Sequence, residues 1–70
     1  MTVHELADVP ARRAAAKVEQ ALVDLGLATR REIARHAQMF DDEITLGLVR
    51  LDAAGKLQWC GPAFGWGLQP

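Results

Sequence analysis

Seventy residues, half of them hydrophobic and 24% charged, allow one soluble domain with a small core. The formal net charge of −1 excludes the strong basic field that concentrates many proteins on nucleic acid. No apolar run approaches the roughly 20 residues of a membrane span. No basic segment leads into an apolar stretch near Met1, and the single cysteine, Cys60, has no internal disulfide partner, so the expected setting is the cytoplasm.

The charge is uneven. Residues 1–40 carry six Arg or Lys against five Asp or Glu, whereas residues 41–70 carry Arg50 and Lys56 against Asp41, Asp42, Glu43 and Asp52.

The first ten residues read as an arm or a short helix. Thr2 and Glu5 have the spacing of a capping box, and Val3, Leu6 and Val9 recur every third residue. A helix is expected from Ala11 to Leu25, with Pro10 in its first turn, where the missing N–H does no harm. Its apolar stripe is Ala14, Val18, Ala21, Leu22 and Leu25, and Gly26 stops it. After the extended step Leu27-Ala28, Thr29 and Glu32 form a capping box for a second helix, Arg30 to Ala37, facing inward through Ile33, Ala34 and Ala37.

Gln38, Met39 and Phe40 make a turn. Asp41 is the expected cap of a third helix that buries Ile44, Leu48 and Leu51 and ends near Gly55, with Asp42 and Glu43 at the positive end of its dipole. Two alternating runs follow, Lys56 to Cys60 and Phe64 to Leu68, separated by Gly61-Pro62. They predict a β-hairpin.

The segment from Leu27 to Leu68 resembles the winged helix-turn-helix family. Ala34 stands at the small position of the first motif helix, and Ile44 at the branched position of the second. Leu48, Leu51, Gly55 and Leu57 match the exit into the wing. Gln38 departs from the pattern, which usually has glycine there. The resemblance implies a mostly α domain over residues 11–70, with three helices plus a small β-hairpin wing. It also implies binding to double-stranded DNA as a dimeric transcriptional regulator, since one such domain has a modest footprint. A protein-binding winged helix is the alternative.

On the DNA reading, the outward face of helix three carries Glu43, Leu46, Gly47 and Arg50. Thr45 lies at its margin, and Thr45, Leu46, Gly47 and Arg50 are the groove candidates. Arg50 suits guanine. Arg30, Arg31 and Lys56 are the phosphate candidates, helped by the free N–H groups where helix two begins. Arg31 and Arg35 share a face and repel slightly, which favours an anion. Against DNA stand the acidic start of helix three and its apolar Leu46 and Val49, through which a protein partner would bind. Gly47 weakens a helix by about 1 kcal/mol relative to alanine and implies close approach by another group.

No cofactor or catalytic group is expected. His4 and His36 lack further ligands for a metal, and Cys60, even taken as a pair with His36, lacks an orienting third group and reads as a small strand residue. Trp66 is expected in the core. Trp59 and Phe64 are open between core and a stacking surface, with Phe64 near the hairpin tip.

Overall fold

A computed structural model describes the backbone from Val3 and the side chains from Pro10 onward. It contains three helices, α1 (Val3–Leu25), α2 (Arg30–Ala37) and α3 (Asp41–Ala53), and three strands, β1 (Leu27–Ala28), β2 (Leu57–Trp59) and β3 (Trp66–Leu68). Among the described residues, no helix is long and apolar enough to cross a membrane.

α1 is longer than the sequence suggests. Pro10 lies inside it, not in its first turn. Having no N–H, Pro10 leaves the Leu6 carbonyl without its i+4 donor. The side-chain stripe of Val3, Leu6 and Val9, the Thr2–Glu5 capping box and His4 lie outside the described residues. Ala14, Val18, Ala21 and Leu22 are buried as expected, but Leu25 at the helix end is exposed.

α2 has the bounds its caps predict. The Thr29 hydroxyl accepts from the Glu32 N–H at 3.3 Å, and the Glu32 carboxylate accepts from the Thr29 N–H at 3.0 Å. Gln38 ends the helix in the left-handed region, φ 54°, and its N–H donates to the Ala34 carbonyl. A conformation that favours glycine is therefore held by glutamine.

α3 starts differently from expectation. Its N-cap is Phe40, with extended backbone, and Asp41 is the first helical residue. Glu43 decides this. Three residues after Phe40, its carboxylate accepts from the Phe40 N–H at 3.2 Å. A cap at Asp41 would place Ile44, which has no acceptor, in that position. Met39 and Ile44, on either side of Phe40, are both in the core, the arrangement of a hydrophobic staple. The far end closes with Gly55 N–H on the Asp52 carbonyl and Lys56 N–H on the Leu51 carbonyl, both at 2.9 Å.

The expected hairpin is part of a three-stranded antiparallel sheet in the order β1-β3-β2. Leu27 and Ala28 pair with Gly67 and Trp66, while Leu57, Gln58 and Trp59 pair with Leu68, Gly67 and Trp66. The turn is wider than Gly61-Pro62 alone. Gly65 N–H returns to the Gly61 carbonyl at 2.8 Å, so Phe64 sits in the turn and outside the strand. Gly65 (φ 77°) packs on β1, where a Cβ would fall 2.0 Å from the Ala28 carbonyl oxygen, so no side chain fits there.

The core joins Val18 and Leu22 of α1, Ile33 of α2 and Ile44 of α3, all essentially inaccessible to water. Gly47 lies here too. A Cβ on it would stand 2.7 Å from the Ala14 carbonyl oxygen and 2.8 Å from Val18 Cγ2. Gly47 is therefore a packing residue that lets α1 cross α3 closely, and it is absent from the outward face.

Candidate interaction surface

Ile44, Gly47, Leu48 and Leu51 define the buried side of α3. At about 100° per residue, the opposite arc runs through Asp42, Leu46, Val49 and Ala53, flanked by Arg50 on one side and by Thr45 and Asp52 on the other; all of these are exposed except Arg50, which is half-buried. The expected face of Glu43, Leu46, Gly47 and Arg50 is thus rotated toward α1 from the true one. The signal was available, because the arc opposite Ile44, Leu48 and Leu51 already centres on Leu46 and Ala53. The full weight of Val49 was missed by giving Gly47 an outward place, and Asp52 stands exposed at the margin of the arc.

The apolar part of this arc is substantial, with Leu46 46% and Val49 63% accessible. Its central residues include no Arg or Lys, and the half-buried Arg50 stands on one flank. Asp42 and Asp52 form no ion pair with any described residue.

The groove candidates are dispersed. Thr45 is engaged: its Oγ1 accepts from Arg30 Nη1 at 2.8 Å and lies 3.2 Å from the Asp41 carbonyl, to which it donates. Arg50 is half-buried on the flank of the outward arc and lines a groove between α1 and α3 with Arg12, Glu19 and Lys56.

The phosphate candidates also separate. Arg30 Nη1 reaches Asp41 Oδ1 at 2.9 Å and the Asp41 carbonyl at 3.2 Å, besides Thr45, so this guanidinium ties the start of α2 to the start of α3. Lys56 Nζ stands 3.4 Å from Glu19 Oε1. Arg31 is exposed, as is Arg35 one turn later, and neither has a carboxylate partner among the described residues.

Beside α3 the hairpin forms a second wall. Trp59 and Trp66 face each other across the strands with ring centroids 4.8 Å apart and planes tilted by 60°. Trp66 is half-buried on the core, while Trp59 is 57% accessible. Between the walls runs a groove of about 330 Å³, floored by Leu48 and Leu57 and edged by Val49, Asp52 and Trp66. Arg30 and Thr45 close one end.

On the other side of the molecule, His36 Nε2 meets Asp24 Oδ2 at 2.9 Å, and Gln20 Nε2 donates to Asp24 Oδ1 at the same distance. The bond from His36, then that from Gln20, hold the Asp24 carboxyl below its ordinary range. Glu32 is lowered likewise by the Thr29 N–H and hydroxyl. Among the described residues, no group of three or more His, Cys, Asp or Glu could hold a metal ion.

No protein-family model matches this chain, no curated protein resembles it significantly in sequence, and no solved structure matches it.

Proposed function

We propose that this chain is a winged helix-turn-helix domain that works as a protein-docking module, presenting the outward face of α3 beside the β2–β3 wing. The element order supports the fold reading: a long helix, a short strand, two helices in a tight turn, then a hairpin that packs back on the first strand. The observation that carries the function is the composition of the α3 arc. Leu46 and Val49 lie exposed between Asp42 and Asp52, and the one basic residue of the helix, Arg50, is half-buried on the flank. A helix entering the major groove needs donors and acceptors for base edges and cations for phosphate. This arc offers apolar area and negative charge, which suit a protein contact.

A photo-crosslinking residue in place of Val49 tests the reading in cells. A discrete protein adduct is expected, and it should disappear when Leu46→Glu is added, because a charge then replaces contact area at the centre of the patch. Adducts with nucleic acid, or protein adducts indifferent to Leu46→Glu, would overturn it. A second copy of the chain is one readable outcome, detected as a covalent dimer.

A second reading, double-stranded DNA, is favoured by Arg31 and Arg35. They stand one turn apart on α2 with no carboxylate partner among the described residues. On this reading, Arg31→Ala weakens binding to every duplex alike and reduces the salt dependence by about one unit.

A further inference from the structure

Trp66 and a bare helix face bound one groove, Trp59 stands beside Trp66, and the edge charge without a partner among the described residues is acidic. Val49 and Leu48 of α3 form one side. Leu57 and Trp66 form the other, and Trp59, packed on Trp66, extends that wall outward. The single guanidinium in the groove, Arg30, is committed to Asp41 and Thr45. All of these bonds use Nη1, and the Asp41 carboxylate offsets the Arg30 charge. Asp52 at the groove edge and Asp42 on the first turn of α3 have no partner among the described residues. Arg13 and Lys17 lie on the far flank of α3, beyond Leu46, where Lys17 approaches Glu43 at 3.9 Å, and Arg50 is half-buried between α1 and α3.

We infer that the groove between α3 and the wing receives a cationic amphipathic helix of a partner protein, its apolar residues against Val49 and Trp59 and its Lys or Arg side chains at Asp42 and Asp52. The inference rests on the docking reading above and names its partner class. The spacing supports a helix. Asp42 and Asp52 are ten residues apart on α3, about 15 Å along its axis, and Leu46 and Val49 lie between them. A helix of about three turns with cations near both ends and an apolar centre spans that distance. An extended segment would bring backbone N–H and C=O groups that need partners. The wing's edge strand β2 is only three residues long, and its Leu57 carbonyl already accepts from Gln69 Nε2 at 3.1 Å, so it offers such a segment little pairing, whereas a helix satisfies its own backbone and brings only side chains to the contact. Opposite charges at the rim then set orientation and exclude acidic competitors.

The two tryptophans, the only ones in the chain, supply the readout. Two synthetic peptides of about 14 residues share one leucine stripe and lack tryptophan; one carries Lys at the flanking positions and the other Glu. The Lys peptide should shift the tryptophan emission and bind the full chain at least about tenfold more tightly than the Glu peptide, with the preference shrinking at high salt. The double variant Asp42→Asn with Asp52→Asn should lose roughly fivefold or more of that affinity. The double variant Ala16→Lys with Val23→Lys changes net charge equally but on α1, and should bind within about twofold of the parent.

Equal affinity for the two peptides, binding of neither, or equal weakening by both double variants overturns the cationic partner. If the Glu peptide binds as well and Leu46→Glu abolishes its binding, the docking reading stands while this inference fails. If only duplex DNA perturbs the tryptophans, and Asp42→Asn strengthens the effect, both fail together.

Discussion

The Ala14 carbonyl oxygen lies 2.7 Å from where a Cβ on Gly47 would sit, so backbone meets backbone where α1 crosses α3. Alanine at position 47 would gain about 1 kcal/mol of helix propensity. Its methyl group would also meet Val18 Cγ2 at 2.8 Å, and the Ala14 carbonyl cannot rotate aside as a flexible side chain could. Gly47→Ala should therefore destabilise the domain by about 1–3 kcal/mol, as overpacked core sites do. Urea denaturation measures it, and a more stable variant would contradict the close crossing.

Gln38 invites the opposite change. It holds φ 54° and ψ 51° at the end of α2, exposed to solvent. A side chain in the left-handed region costs on the order of 1 kcal/mol, and glycine adopts it without that strain. Glycine gives back part of the gain through its more flexible unfolded chain. Gln38→Gly should raise stability by about 0.5–1 kcal/mol, seen as a higher urea midpoint at unchanged slope.

Arg30 and Arg31 are neighbours in sequence with different roles. Arg30 holds Asp41 at 2.9 Å and Thr45 at 2.8 Å, joining α2 to α3 across the turn. Its partly exposed position limits the value of these bonds, and Arg30→Ala should cost about 1 kcal/mol. Arg31→Ala removes no contact among the described residues and should stay within about 0.5 kcal/mol of the parent. A comparable loss from both variants would contradict the separate assignment.

Two lowered carboxyls set the acid response. Asp24 is held down by His36 and Gln20, and Glu32 by the Thr29 N–H and hydroxyl. A group whose folded pKa lies below its unfolded value contributes stability above the unfolded value, and that contribution is lost as pH falls through the folded one. Stability should therefore decline below about pH 4, where free carboxyls begin to protonate. Asp24→Asn and Glu32→Gln should each flatten that decline. At neutral pH, Glu32→Gln should change little, because glutamine also completes a capping box. A parent and double variant with identical acid limbs would show that neither group matters to folding.

Local chemistry was legible in the residues themselves. Thr29 and Glu32 stand three apart and cap each other, so the bounds of α2 follow from spacing alone. The buried triad of α3, Ile44, Leu48 and Leu51, follows from periodicity. Tertiary structure decided where longer-range contacts compete. The Phe40 cap of α3 depends on Met39 and Ile44 being buried together, which favours Glu43 reaching back over Asp41 serving as the cap. The outward face of α3 depends on which flank α1 covers. A glycine has no side chain to reveal its side by hydropathy, so Gly47 was ambiguous until the α1 backbone was placed against it. Arg30 carried the same charge signal as Arg31 in the sequence. Its pairing with Asp41 and Thr45, 11 and 15 residues away, exists only because the turn brings two helix starts together.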